Sequence, residues 1–137
     1  MKESAMRVLE GEQLLTRIFI GEDDKWHHQP LHRALLERLR SEGFAGATVI
    51  HGVAGFGAAT VIHTAHLVDL SGDLPVVIEV VDDQEHTDRL IPILDEMVTG
   101  GALITMEKVR VLKYVGKKRA STLPPSPSSS PGATKKE

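Results

Sequence analysis

The sequence predicts an α+β domain: two helices on one face of an antiparallel sheet, in the split-βαβ, ferredoxin-like order βαββαβ. Three observations carry this expectation. Two segments with apolar residues at helical spacing each lie between segments rich in β-branched residues. A glycine-dense stretch, Gly52–Gly57, divides the two βαβ halves. The 137 residues amount to one domain's worth of chain, and no cysteine is present to staple a smaller scaffold.

The elements follow in order. Residues 1–12 are polar and mixed and read as a flexible arm. Gln13–Ile20 (QLLTRIFI) is a strand that stops at Gly21. Gly21–Pro30 is a polar loop, and Pro30 suits the first turn of a helix. Leu31, Ala34, Leu35 and Leu39 then recur at helical spacing, with Arg33, Glu37, Arg38 and Arg40 on the other side. Glu42-Gly43 ends that helix. Ala47–His51 (ATVIH) is a short second strand. Thr60–Leu70 reads as extended, and Ser71-Gly72-Asp73 as a turn. Pro75–Val81 (PVVIEVV) is a strand whose near-continuous apolar run requires cover on both faces. Gln84–Val98 is a second helix with a stripe of Leu90, Ile91, Leu94, Met97 and Val98. Pro92 is expected to kink or break it, since proline lacks the amide donor and collides with the preceding turn. Thr99-Gly100-Gly101 ends the helix, and Leu103–Met106 with Lys108–Tyr114 supply the last strands. The domain thus spans residues 13–115.

Residues 116–137 form a basic tail with five serines, four prolines and one large apolar residue, Leu123. It is expected to be disordered, because it has too little apolar area to order itself. Lys117, Lys118, Arg119, Lys135 and Lys136 against Glu137 give it +4. With a net charge of −3 for the chain, the first 115 residues carry −7. An acidic domain argues against a nucleic-acid partner, which requires a basic face. Without cysteine there is no disulfide, thiolate zinc site or Cys nucleophile. The apolar runs fall far short of the ~20 residues that span a bilayer. Met1–Ser4 opens no signal-peptide apolar region, so a cytoplasmic protein is expected.

Two helices cover one face of the sheet. Neighbouring apolar residues at Leu14/Leu15, Val76/Val77 and Val80/Val81 place apolar groups on the other face as well. The economical cover is a second copy of the chain, so an oligomer is expected.

The residues that could carry chemistry admit two readings each. Gly52, Gly55 and Gly57 either form an anion-binding nest of backbone amides or a tight turn between strands. They do not have the spacing of a phosphate loop ending in Lys and a hydroxyl residue. Gly100 and Gly101 either donate amides at a subunit boundary or cap the helix. Lys25 could neutralise phosphate or remain solvated; Trp26 could stack on a base or pack beneath the first helix. His28 and His32 are four apart; His63 and His66 point to opposite faces of a strand. With no HExxH or Cys/His set, the histidines read as surface or hydrogen-bonding groups rather than metal ligands. Asp82, Asp83 and Glu85 read as caps of the second helix, and no nucleophile accompanies them, so no enzyme is expected.

Gly21-Glu22 with Lys25-Trp26-His27, Gly46–Val49, Gly55-Phe56-Gly57, His63-Thr64-Ala65, Asp73–Glu79 and Leu94–Val98 together resemble the PII-like family catalogued as domain of unknown function 190, over residues 12–114. The resemblance implies a PII-like subunit in a homotrimer that binds an adenine nucleotide between subunits and signals through a loop after the second strand. Gly55-Phe56-Gly57 corresponds to the base of that loop and Ala58–His66 to its continuation. On this basis Lys25, His27, Gly55, Phe56, Gly57, His63, Gly100 and Gly101 are the candidate nucleotide contacts. No modifiable tyrosine stands in the loop, and Thr99–Ala102 lacks the phosphate-gripping lysine of true PII proteins. AMP or ADP is therefore expected rather than ATP, with no uridylylation or 2-oxoglutarate response. The fold is also similar to CutA-type divalent-cation tolerance proteins, which leaves metal binding as the alternative. Gene neighbourhoods in the family imply a membrane channel or transporter as partner.

Overall fold

The computed structural model describes residues 7–57 and 73–116. Strand β1 (Gly11–Gly21) leads into a small hairpin, β2 (Lys25–Trp26) and β3 (Gln29–Pro30), then helix α1 (Leu31–Ser41) and strand β4 (Thr48–His51). Strand β5 (Pro75–Asp82), helix α2 (Gln84–Met97) and strand β6 (Leu103–Val111) complete the order. The main sheet has four strands in the order β4-β5-β1-β6, all antiparallel. This is the α+β, ferredoxin-like fold that the alternation of elements predicts. The expected extended segment Thr60–Leu70 and the tail from residue 117 lie outside the described residues.

One face of the sheet carries the core. Ile18, Ile20, Val76, Ile78 and Val80 pack against Leu31, Ala34, Leu35 and Leu39 of α1 and Leu90, Ile93, Leu94 and Met97 of α2. The α1 stripe is the one its spacing predicts, because residues three and four apart share a helix face. Gly43 follows the helix at φ 86°, a left-handed position that glycine takes at little cost and that ends a helix.

The structure corrects several expectations. β1 starts at Gly11, not Gln13, and within the expected arm Leu9 is buried while Arg7 pairs with Asp82 and Asp83. Residues 21–30 contain a hairpin rather than only a loop: His27 and His28 form a two-residue turn with φ of 47° and 72°. Positive φ at both central positions matches the right-handed twist of a hairpin. α2 runs unbroken through Pro92. Pro92 and Asp88, whose carbonyl loses its donor, both face solvent, and the buried residues on either side hold the helix. The buried stripe of α2 takes Thr87 and Ile93, and Ile91 is exposed. The two last strands are one, β6, which ends before Tyr114; the Tyr114 hydroxyl donates to the Ala45 carbonyl at 3.1 Å.

The opposite face has no helix among the described residues. Register places Ile50, Val77, Phe19 and Leu103 in one row across it. Val77 and Phe19 are half-buried, while Ile50 is 45% and Leu103 54% exposed. In the next row Arg17 holds its cross-strand neighbour Glu79 at 2.9 Å and, diagonally, Glu107 at 2.8 Å. β5 therefore alternates buried and half-buried, so its second apolar face lacks, among the described residues, the cover its sequence calls for.

Candidate functional site

Antiparallel register decides which loops meet. Gly21 pairs with Pro75, His51 with Val76, and Phe19 with Leu103. The β2–β3 hairpin, residues 52–57, residues 73–75 and residues 98–102 therefore all lie at one end of the sheet. Lys25, His27, Gly55, Phe56, Gly57, Gly100 and Gly101 are all placed there; His63 lies outside the described residues.

The sheet also sets them apart. Gly52–Gly57 leaves edge strand β4, while Gly100-Gly101 precedes the other edge strand, β6. Three strand spacings, about 14 Å, separate the two edges. Within one chain the two glycine segments flank the end of the sheet.

Local packing fixes the roots of these segments. Gly52 N–H donates to the Pro75 carbonyl at 2.8 Å, and Glu22 N–H to the Leu74 carbonyl at 2.8 Å. Gly55 sits at φ 151°, where a Cβ would press on Pro75 Cγ at 3.2 Å, so the chain needs glycine there. Beyond the root, Val53 is 88% and Phe56 80% exposed. Large apolar groups thus stand in solvent next to glycine backbone.

In the hairpin, Trp26 packs against the core cluster and its ring stacks on His27, with centroids 4.0 Å apart. Of its two readings, packing is the one this geometry supplies. Lys25 is exposed. The Asp73 carboxylate accepts from Asp23 N–H at 2.7 Å, and the Asp24 carboxylate from Gly21 N–H at 3.1 Å. Burial raises the Asp24 pKa, the Gly21 amide opposes the rise, and Asp73 and Asp23 add to it.

A contact the sequence did not reveal joins α1 to the end of β4. The rings of His32 and His51 meet edge to face, centroids 5.4 Å apart. His32 Nδ1 is buried without a hydrogen-bond partner among the described residues. Burial lowers the His32 pKa, and His51 and Arg33 lower it further, against the pull of Glu22. The spacing of His28 and His32 drew attention to the helix, but no sequence signal pairs His32 with His51, 19 residues on.

The other end of the sheet holds a different cluster. Asp82 is wholly buried and accepts from Ala45 N–H at 2.8 Å, Asp83 N–H at 2.8 Å and both terminal nitrogens of Arg7. Asp83 caps α2, accepting from His86 N–H at 2.8 Å, so the expected capping role holds for it. Asp82, Asp83 and His86 are the one group of three ligand-type side chains close enough to share a metal ion among the described residues. Arg7 already supplies that group with a cation.

Comparison with known proteins agrees with this fold. Residues 13–111 match the family described as DUF190, Uncharacterized ACR, COG1993. A UPF0166 protein of Aquifex aeolicus (strain VF5) is 37% identical over 107 residues, 78% of this chain and 98% of that protein. A UPF0166 protein of Methanocaldococcus jannaschii is 33% identical over 99 residues, 72% of this chain and 91% of that protein. A solved structure described as a candidate PII-like signaling protein, from Thermus thermophilus, superimposes with a TM-score of 0.53. The two share 20% identity, covering 74% of this chain and 91% of that chain, so the likeness speaks for the fold alone. Among the described residues, no helix is long and apolar enough to cross a membrane.

Proposed function

We propose, from the premise that this chain belongs to the DUF190 family and has a PII-like fold, that it is a cytoplasmic, non-enzymatic signalling protein. As a homotrimer it binds an adenine nucleotide, AMP or ADP, where subunits meet, and presents residues 52–66 to a partner such as a membrane channel or transporter. One observation carries the reading: the two glycine segments share an end of the sheet but lie on opposite edges. Placing the β4 edge of one copy beside the β6 edge of another would bring the two segments to one ligand between subunits. The uncovered row Ile50, Val77, Phe19, Leu103 and the exposed β6 residues Ile104 and Met106 give such copies apolar area to bury.

In this arrangement Gly55 and Gly57 of one subunit offer amides to phosphate, with His63 further along the same segment. Gly100 and Gly101 of the neighbour close the other side. Lys25 and His27 supply positive charge and a ring face, and Phe56 a hydrophobic contact. The ligand orders residues 52–66 to the extent that it binds one arrangement better than the other. The CutA-like alternative, divalent-metal binding, gains no support from the Asp82–Asp83–His86 group, whose charge Arg7 offsets.

Native mass spectrometry of the freshly purified full chain tests both parts, with calorimetry against AMP, ADP, ATP, cyclic di-AMP and Cu(II). The expected result is a trimer that binds AMP or ADP at one site per subunit. A monomer at micromolar concentration, or tight Cu(II) binding without nucleotide binding, overturns the reading.

A further inference from the structure

We propose that the His32–His51 imidazole pair couples proton uptake to anion binding at the root of the Gly52–Gly57 segment, which makes the ligand's affinity depend on pH. This inference rests on the nucleotide reading above and concerns the regulation of that site.

The pair stands where such coupling needs it. His51 is the last residue of β4, and the next residue, Gly52, begins the glycine segment, pinned by its 2.8 Å bond to the Pro75 carbonyl. Chain length alone keeps Gly55 within about 14 Å of His51 and Gly57 within about 22 Å. The 5.4 Å ring contact joins this root to the first turn of α1. The contact therefore links the root of the segment to the helix.

The electrostatics of the pair favour an anion over a cation. The charged groups that act on His32 are His51 from β4, Arg33 from α1 and Glu22 from the loop after β1. Two of the three are cationic or can become so, and Glu22 alone opposes them. Burial adds to the cost of a positive charge there. A phosphate dianion in the adjacent segment reverses the balance, because an imidazolium beside it gains an attraction that the pair by itself lacks. His32 Nδ1 is also buried without a partner among the described residues. A buried ring nitrogen without a partner is costly, and a proton shared with an arriving anion or its bound water gives it one. Solvent supplies the proton: neutral imidazole takes it up as the anion binds and returns it when the anion leaves.

Linkage then fixes the direction. Where one proton is taken up with the ligand, affinity rises as pH falls, by at most about tenfold per pH unit. The phosphate of AMP has its own second ionisation near about pH 6, which the comparison of variants removes because the ligand is the same in each.

Two measurements on the full chain test this, using AMP as the probe. Calorimetry from about pH 8 to about pH 6, the range in which histidine titrates, gives the affinity profile of the wild-type chain, His32→Gln and His51→Gln. The wild-type profile is expected to gain about threefold to tenfold per pH unit over both variants. NMR titration of the His32 ring in the wild-type chain supplies a readout that needs no variant to fold: AMP is expected to raise the pH at which His32 titrates. Wild-type and variant profiles that run parallel, with a His32 titration unmoved by AMP, overturn the coupling and leave nucleotide binding standing. No AMP binding at any pH overturns the coupling together with the nucleotide reading.

Discussion

The two ends of the sheet are built on opposite plans. At the Asp82 end, charges find partners inside the chain. Arg7 bridges Asp82 and Asp83, Asp83 caps α2, and the Arg89 guanidinium lies over the Phe44 ring while it pairs with Glu42. At the Gly52 end the chain exposes backbone and rings: positive φ at His27 and His28, glycine at residue 55, and a buried His32 nitrogen that finds no partner among the described residues. The first plan closes a fold. The second leaves hydrogen-bonding capacity for something else, since loops carry function on a scaffold held rigid elsewhere. Stability and binding should therefore separate cleanly between the two ends.

The largest effect is expected from Asp82→Ala. It takes away the buried partner of the Arg7 guanidinium, which keeps only Asp83 and the Gly43 carbonyl, and removes the acceptor of the Ala45 and Asp83 amides. Denaturant unfolding should show a loss of about 3 kcal/mol, because buried groups left unpaired bear their full desolvation cost. Nucleotide affinity, measured where the variant is fully folded, should be unchanged; a large loss would mean the two ends are not independent.

Gly57→Val should do the reverse. A Cβ at Gly57 meets nothing within 4 Å among the described residues, which leave room for a side chain there. A branched side chain still screens the neighbouring amides from a phosphate. Calorimetry should find AMP bound about tenfold to a hundredfold more weakly, the equivalent of one or two charge-assisted hydrogen bonds, with the unfolding midpoint unmoved.

A smaller effect sharpens the comparison from the acid side. Burial works against the Asp83 charge, but the amide and ring of His86 and the Arg7 guanidinium outweigh it and lower its pKa. A carboxyl lowered on folding contributes stability that is complete above its unfolded value, near about 3.9, and is lost as pH falls through the folded value. Asp83→Asn keeps a good helix cap and removes the charge. It should cost about 1 kcal/mol or less at neutral pH, since Asp83 is partly exposed, and flatten the loss of stability below about pH 4. An acid limb as steep as that of the wild-type chain would assign the linkage to other carboxylates.

The helices and strands were legible where periodicity was strong. Leu31, Ala34, Leu35 and Leu39 are the buried face of α1, and Pro75–Val81 lies within β5. Pro92 misled because local rules count its missing donor but not the tertiary packing of Leu90, Ile93 and Leu94 around it. The β2–β3 hairpin was missed because its turn is His27-His28 rather than the Asn-Gly that announces such a turn. The candidate segments around Lys25, Gly55 and Gly100 were named from short motifs, but their position at one end of the sheet depended on strand register.

The sequence alone determined what repeats along the chain: the order of elements, the apolar faces, the helix stops and the acidic balance of the domain. These are local consequences of side-chain spacing and backbone preference. Only the tertiary structure decided which residues distant in sequence meet: Arg7 with Asp82, His32 with His51, and two glycine segments on opposite edges of one end. Antiparallel pairing folds the chain back on itself, and a shift of register would change every one of those meetings while leaving the pattern of residues the same.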